Sequence, residues 1–363
     1  MRAVPIEFIK ENSILGDTIY SVDGVLLAKE GIKLTARLLD KIKENQIYTL
    51  YITDEHSNSN INRLIHPNLR NKAMLIIKDI FLAAGNRDVN GILKSKSIYE
   101  YMGNLNAVID DILYELASTK DLPLEYVNIK SVENYLYMSS LNCGILSSLI
   151  AMEMDYNYEM TKNIFLAGVF HDIGMALLPS EIFQKKGDLT VDEKMMIINH
   201  PKIGIDYLKD KHFLNAYIKQ ATLQHHEKLD GSGYPLRTTG EDISIISQIV
   251  GIADVYDAMT SDRPYSRATT PNEAIEYLLG GSGRLFDSKV VSIFTKKINP
   301  YPPGSLVKLN TGDIAVVDEV IKGLPLRPRL RIIKGTKGNY TYTPLDLTKE
   351  YKTSIDSLVY HID

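Results

Sequence analysis

The sequence predicts a mainly α protein, in which a helical bundle is flanked by a small N-terminal α/β module and a small C-terminal β module. Apolar residues recur three and four positions apart between about Asn62 and Phe294, whereas short β-like runs occupy both ends of the chain. The length of 363 residues exceeds what one hydrophobic core usually organises, and 44% hydrophobic residues suffice for a core in each part.

The N-terminal module, residues 1–60, begins with a predicted β-hairpin. Apolar runs at 18–20 and 25–28 flank the turn dipeptide Asp23-Gly24. Thr35 then predicts the cap of a helix that ends near residue 44, and the run 49–52 predicts a further strand. These elements together favour a small α/β unit with a regulatory role.

The polar stretch 54–60 is typical of a linker to the helical part, which we assign to residues 61–300. Short Gly-, Pro- or Asp-rich turns separate its amphipathic segments, as in stacked helices. Beyond a Pro-rich junction, β-like runs separated by turn residues predict a β module over residues 301–363. The runs are 306–309, 314–317 and 330–333.

Composition and charge exclude several classes of function. The formal net charge of -4 gives no basic surplus for a long nucleic-acid partner. The single cysteine, Cys143, excludes a disulfide framework and indicates a reducing compartment. Because Glu7 interrupts any signal-peptide pattern and no stretch approaches ~20 uninterrupted apolar residues, we expect a cytoplasmic protein without a membrane span.

Imidazole and carboxylate groups in the helical part are candidate ligands, because borderline divalent metals favour this combination. The candidates are His171, Asp172, His200, His225, His226 and Asp254. His171-Asp172 closes the apolar stretch 164–170, and adjacent helical residues point ~100° apart, so both reach one metal only if it lies between neighbouring helices. On its own, this dipeptide favours an ordinary helix end with local hydrogen bonds.

The segment 225–235 carries a more specific signal. It joins the histidine pair to a Gly-rich turn that ends in Tyr234 and Pro235. Glycine lets the backbone turn tightly and approach a ligand, while Tyr234 offers a ring for a nucleobase and a hydroxyl for a phosphate. A purely structural loop rarely needs both properties.

These motifs resemble the HD-GYP family of cyclic di-GMP phosphodiesterases. The matching motifs are His171-Asp172-Ile173-Gly174, the histidine pair, Gly233-Tyr234-Pro235, and the segment from Ala253 to Thr260 followed by Arg263-Pro264-Tyr265. The resemblance covers about residues 103–294, the core of the helical part, and implies an HD-domain helical bundle.

The resemblance implies a metal-dependent hydrolase. Two or three ions, commonly iron or manganese, would carry a bridging hydroxide that attacks a phosphodiester of cyclic di-GMP and yields pGpG or GMP. All six candidate ligands would bind metal, with His171 and Asp172 catalytic and Asp172 bridging two ions. Residues implied in the nucleotide pocket are Gly233, Tyr234, Pro235, Asp257, Ala258 and Arg263.

Several positions depart from the family pattern. Ser139 stands where the family has a histidine ligand, and Tyr135 stands where three-metal members have glutamate, so we expect two ions, one of them weakened. Met175 replaces a lysine of the family. Losing that contact would remove about 2 to 4 kcal/mol of transition-state stabilisation and so slow turnover. Ser266 replaces a basic residue, for which the neighbouring Arg267 can compensate.

Two functions therefore stay open, and a third is weaker. The first is a working cyclic di-GMP phosphodiesterase, and the alternative is a catalytically weak or inactive cyclic di-GMP receptor that acts in signalling. Another HD-type phosphohydrolase acting on nucleotides would leave the Gly-Tyr-Pro loop without a purpose. The two flanking modules are compatible with a homodimer and with signalling protein partners, and the sequence does not decide between these partners.

Overall fold

The protein is mainly α, as its sequence predicts. The structure, a computed structural model, describes residues 2–21, 24–45, 47, 49–54, 64–85, 97–118, 135–179, 182, 189–261, 269–336 and 339–362. The helices are α1 (Ala36–Glu44), α2 (Pro67–Ala84), α3 (Tyr99–Ser118), α4 (Tyr135–Glu153), α5 (Tyr158–Phe170), α6 (Val191–Ile198), α7 (His200–Leu208), α8 (Ala216–Gln224), α9 (Ile245–Met259), α10 (Pro271–Gly281) and α11 (Ser288–Lys297). The strands are β1 (Arg2–Pro5), β2 (Ile14–Leu15), β3 (Ile19–Tyr20), β4 (Leu26–Ala28), β5 (Thr49–Thr53), β6 (Leu306–Leu309), β7 (Ile314–Glu319), β8 (Arg329–Thr336), β9 (Asn339–Asp346) and β10 (Ile355–Val359).

The N-terminal module contains the predicted hairpin, helix and strand. Strands β3 and β4 pair antiparallel, and the Thr35 side chain accepts a hydrogen bond from the Leu38 backbone N–H at the start of α1. A second sheet has the order β1-β5-β2. The sequence did not reveal β1 and β2, whose pairing partner β5 lies far along the chain. Of the predicted linker 54–60, residues 55–60 lie outside the described residues.

The helical part packs around α4, α5 and α9. Helix α4 is buried from Met138 to Ala151, and the last seven residues of α5, from Ile164, are buried as well. By length and composition, α4 is the one helix of the described residues apolar enough to cross a membrane. Within its apolar window, 78% of the residues are buried in the bundle, as a core helix requires.

The C-terminal module is an antiparallel sheet with the strand order β10-β6-β7-β8-β9. Its first three strands match the predicted runs, whereas β9 and β10 were not predicted individually. The chain end then returns to the N-terminal module, where the Tyr360 ring stacks on Phe8 with ring centroids 5.2 Å apart. Arg2 donates a hydrogen bond to the Tyr360 carbonyl over 3.2 Å. The two small modules therefore contact each other.

Candidate metal centre

Each candidate ligand lies at the end of a helix or on its buried face. His171 follows the last residue of α5, and Asp172 directly precedes the short 3-10 helix Ile173–Leu177. His200 is the first residue of α7, and His225 with His226 follows α8. Asp254 lies on the buried face of α9. The bundle thereby brings residues from distant points of the sequence to one location.

The side chains meet around the Asp172 carboxylate. Its Oδ1 atom lies 2.9 Å from His200 Nε2 and 3.6 Å from His225 Nε2, while its Oδ2 atom lies 3.4 Å from His171 Nε2. Asp254 approaches from the other side, 3.6 Å from His171 Nε2 and 3.7 Å from His226 Nδ1. Two overlapping groups of potential ligand atoms result, and within each group all atoms lie within 4.8 Å of one another. The groups are Asp172, His200, His225 and His226, and His171, His225 and Asp254.

Backbone carbonyl groups fix the orientation of three imidazole rings. The Nδ1 atoms of His171, His200 and His225 lie 2.7, 2.6 and 2.9 Å from backbone carbonyl oxygens of the preceding helical turn. Because a carbonyl oxygen only accepts, each Nδ1 carries the proton. The Nε2 atoms are therefore the ones that face the carboxylates, which is the orientation of metal-binding histidines.

The donor set fits divalent metal ions. Within the described part of the chain, His171 Nε2 is buried and makes no hydrogen bond, although it points at two carboxylates. Such an orphaned polar atom is costly unless a further partner is present. Neutral imidazole and carboxylate together suit zinc, iron and manganese ions.

The charges of the cluster also favour a bound cation. Burial alone would raise the pKa of Asp172, but the His171 and His200 imidazoles hold it well below its usual range. Burial lowers the pKa of His225 and, together with the adjacent His225 ring, takes the pKa of His226 well below its ordinary value. Metal ligands need these protonation states, ionised carboxylate and neutral imidazole. His171 differs, because Asp172 outweighs burial and raises the pKa of that imidazole, so a cation there would replace a proton.

Three glycines allow the ligand-bearing segments to approach each other. A Cβ atom on Gly174 would lie 2.0 Å from the His200 carbonyl oxygen, and one on Gly251 would lie 2.4 Å from the His225 carbonyl oxygen. A Cβ atom on Gly233 would lie 2.4 Å from the His226 carbonyl oxygen. Each glycine therefore packs against the backbone of one histidine, and no space remains there for a side chain.

Two family models match the chain. Residues 127–290 match the HD domain, and residues 306–361 match a KOW domain associated with the HD domain. The central segment of this chain is an HD domain, and it carries the motifs of HD-GYP proteins. The mainly α fold class, an HD-domain helical bundle with small α/β and β modules at its ends, agrees with this assignment.

Several known phosphodiesterases of cyclic dinucleotides are similar to part of this chain. A cyclic di-GMP phosphodiesterase of Pseudomonas aeruginosa is 34% identical over 225 residues, which cover 62% of this chain and 54% of the relative. A 3'3'-cGAMP-specific phosphodiesterase of Vibrio cholerae is 33% identical, over 52% of this chain and 43% of the relative. The chain spans about half the length of the curated relatives it matches.

A solved structure shares the fold. An HDG"Y"P protein of Bdellovibrio bacteriovorus aligns with a TM-score of 0.50 and 13% sequence identity. The alignment covers 81% of this chain and 98% of that protein. At this identity the likeness concerns the fold alone.

The Gly-Tyr-Pro loop of the HD-GYP domain lies against the ligand cluster. The Tyr234 ring packs on the His226 ring, with centroids 4.5 Å apart and an angle of 32° between the planes. Tyr234 and Pro235 are half-buried, so part of each side chain faces solvent. Ala258 is also half-buried, whereas Arg263 lies outside the described residues.

Glu227, which the sequence did not single out, closes this loop. Its buried carboxylate accepts hydrogen bonds from the backbone N–H groups of Leu236 (2.7 Å) and Thr238 (3.1 Å). The clamp joins the residue after the histidine pair to the far end of the loop. In the sequence, Glu227 directly follows the histidine pair, where a carboxylate would ordinarily be interpreted as a third metal ligand.

We expect Glu227→Ala to release the loop. Both N–H groups would lose a carboxylate acceptor, and a hydrogen bond to a charged group contributes about 1.5–3 kcal/mol. Trypsin should then cleave faster after Arg237, which lies between the two clamped N–H groups and is exposed. Glu227→Gln, which keeps one acceptor oxygen, should lie between the wild type and the alanine variant. Glu241→Ala, at an exposed position, is the control, and equal cleavage rates in all four proteins would refute the clamp.

Ser139 and Asp257 form a buried hydrogen-bonded group between α4 and α9. The Ser139 hydroxyl donates to Asp257 Oδ2 over 2.6 Å, and Asn142 Nδ2 donates to Asp257 Oδ1 over 3.0 Å. Asp257 has no exposed surface, so its carboxylate lies inside the bundle rather than in an open pocket. The role of Asp257 as a nucleotide contact stays a prediction. Met175 lies in the 3-10 helix after Asp172 and is half-buried.

Proposed function

We propose that the HD-GYP domain hydrolyses cyclic di-GMP to pGpG or GMP. The observation that carries the proposal is the convergence of imidazole and carboxylate groups, with a buried His171 Nε2 that points at Asp172 and Asp254 without a hydrogen bond. Relatives named as cyclic di-GMP phosphodiesterases support this substrate.

The cluster would hold two divalent ions, iron or manganese. Asp172 would bridge them, because its Oδ1 atom faces His200 and His225 while its Oδ2 atom faces His171. One ion would be held by Asp172, His200, His225 and His226, and the other by His171, His225 and Asp254, with Asp172 Oδ2 also facing His171. When bound, such ions lower the pKa of water towards ~7 and neutralise the phosphate under attack.

The remaining proposed roles belong to the loop and to α9. Gly233 allows the loop to approach the ligands, and Tyr234 with Pro235 would contact a base or a phosphate of the cyclic dinucleotide. Ala258, Asp257 and Arg263 are proposed to complete the nucleotide pocket. His171 and Asp172 are the proposed catalytic residues, since they contact both groups of ligands.

A catalytically weak receptor of cyclic di-GMP is the second candidate. The observation that favours it is the hydrogen bond from Ser139 to Asp257, which commits the hydroxyl to a carboxylate within the bundle. A neutral hydroxyl is also a poor metal ligand, so the ion near His171 and Asp254 would bind less tightly.

Product analysis separates these candidates. Anaerobically purified protein, loaded with Fe²⁺ or Mn²⁺, is incubated with cyclic di-GMP and, in parallel, with 3'3'-cGAMP. Formation of pGpG or GMP supports the phosphodiesterase. Calorimetric binding of cyclic di-GMP without product in either metal would support the receptor, and the absence of both binding and product would refute both.

Ser139→His provides a further prediction. We expect the variant to hold more metal per chain and to hydrolyse cyclic di-GMP faster, because imidazole is a much better ligand than a hydroxyl. Elemental analysis and product formation measure the two effects. Ser139→Ala, which removes the hydroxyl without adding a ligand, is the control. An unchanged metal content and rate in Ser139→His would mean that the site is already competent without this ligand.

The domain boundaries, the cellular location and the partners of the protein are also proposals. We assign residues 1–60 to a regulatory module, 61–300 to the helical HD-GYP part with its core at 103–294, and 301–363 to the β module. Separate apolar clusters in the three parts support this division. The free buried thiol of Cys143 supports a cytoplasmic location. A homodimer or signalling protein partners would act through the two small modules.

A further inference from the structure

A chain of hydrogen bonds crosses the bundle from α2 to α9. Arg70 on α2 donates to Asn142 Oδ1 over 2.8 Å, and Asn142 donates from Nδ2 to Asp257 Oδ1 over 3.0 Å. Ser139 completes the chain by donating to the second oxygen of Asp257. Asn142, Asp257 and Ser139 are buried, with at most 1% of each residue exposed.

The polarity of this chain is consistent from end to end. The Arg70 guanidinium faces the amide oxygen of Asn142, and the amide nitrogen faces the Asp257 carboxylate. The Asn142 amide dipole is therefore aligned favourably with both neighbours. A buried carboxylate is costly unless charged or polar partners satisfy it. Hydrogen bonds aligned in this way polarise and strengthen one another.

The far end of the chain lies next to the metal centre. Asp257 and Asp254 are three residues apart on α9 and therefore share one face of that helix. Any rotation of α9 that carried Asp257 away from Asn142 would also move Asp254 relative to His171 and His226. The buried chain thus fixes the position of a carboxylate that it does not itself contact.

Arg70, the first residue of this series of hydrogen bonds, lies outside the segment that matches the HD domain. Arg70 precedes residues 127–290, and its helix also contacts the N-terminal hairpin. The Tyr20 hydroxyl donates to Asn68 Oδ1, and Asn71 Nδ2 donates to the Gly24 carbonyl over 3.5 Å. Helix α2 is therefore connected both to the N-terminal module and to the base of the metal centre.

The geometry points to Arg70 as a positioning residue for the metal centre, acting on Asp254 through Asn142 and Asp257. We call this set of residues the Arg70 relay. The inference rests on the metal site of the proposed function, and it does not depend on which phosphodiester is cleaved. It assigns α2 to the metal-binding machinery, where it couples the N-terminal module to α9.

Mn²⁺ titration of full-length protein tests the relay. The free-ion electron paramagnetic resonance signal gives the affinity, and the visible spectrum of Co²⁺-loaded protein reports the ligand geometry. Arg70→Met should weaken Mn²⁺ binding about 10-fold, the scale on which partners of ligand residues act, and should alter the Co²⁺ spectrum. Arg70→Gln, a milder change, serves if the methionine variant does not fold. Lys72→Met, an exposed cation on the same helix, should leave both readouts unchanged.

A double-mutant cycle separates a relay from a general loss of packing. If Arg70 acts through Asn142, then Arg70→Met combined with Asn142→Leu should weaken Mn²⁺ binding no more than the stronger single variant. Wild-type affinity in both Arg70 variants, or fold-losses that multiply in the double variant, would overturn the relay. A wild type that binds no Mn²⁺ would overturn the relay together with the proposed function. Mn²⁺ binding that depends on Arg70, in a protein that releases no product, would refute the phosphodiesterase alone.

Discussion

Replacing Asp172 with asparagine is expected to lower the metal affinity, and with it the metal content and the rate of the proposed cyclic di-GMP hydrolysis, about 100-fold or more, since loss of a hydrogen-bond partner of a ligand already costs 10–100-fold in metal affinity. Asp172 belongs to one group of ligands and contacts His171 of the other. Its two oxygens face different histidines at 2.9 to 3.6 Å, and it is the carboxylate nearest to His200. An amide keeps the shape but offers one neutral oxygen and one N–H donor in place of two anionic oxygens.

Elemental analysis and product formation, measured on the same anaerobic preparation, check this expectation. Asp206→Asn on α7 is the matched control, because its side chain is 74% exposed and its ion pair with Lys209 lies at the surface. That variant should retain wild-type metal content and rate. Wild-type metal content in Asp172→Asn would show that the six side chains do not bind metal through this carboxylate.

Gly174→Ala is expected to destabilise the protein by about 1–3 kcal/mol or more and to displace His200. The added Cβ atom would lie 2.0 Å from the His200 carbonyl oxygen and 2.8 Å from the Gly204 backbone nitrogen. Both neighbours belong to the backbone of α7, so no side-chain rotation relieves the clash. The start of α7 must move, and His200 Nε2 moves with it away from Asp172.

Urea unfolding and Mn²⁺ titration measure the two consequences of Gly174→Ala. Gly103→Ala on α3 is the control, because nothing lies within 4 Å of its added Cβ atom. That change should stabilise the helix by about 0.5–1 kcal/mol, since alanine loses less conformational entropy than glycine. Equal behaviour of the two alanine variants would refute the steric role of Gly174.

The sequence predicted the parts of the fold that local patterns determine. Thr35 signals the start of α1, and alternating apolar runs signal β6, β7 and β8. Strand β1 escaped prediction because four residues carry little periodicity, and its partner β5 lies nearly fifty residues away. Strand β9 is mostly exposed and β10 is half-buried, so neither carries a strong apolar signal.

The candidate metal ligands could be predicted from the sequence, because residue type alone marks histidine and aspartate as ligands. Histidines and aspartates in matching motifs identified the side chains that meet around Asp172. The supports of the site were not predictable in the same way. Gly251 acts through the space that it leaves free, and Arg70 meets Asn142 across 72 positions of the chain. Such contacts become visible only when the helices are packed.

Anomalous scattering from crystals of anaerobically purified, Mn²⁺-loaded protein tests the central claim most directly. We predict a strong peak between Asp172 Oδ1 and the Nε2 atoms of His200 and His225, with a second, weaker peak between Asp172 Oδ2, His171 and Asp254. A map without a peak inside this ring of side chains, from protein that binds Mn²⁺ elsewhere or not at all, would contradict the account.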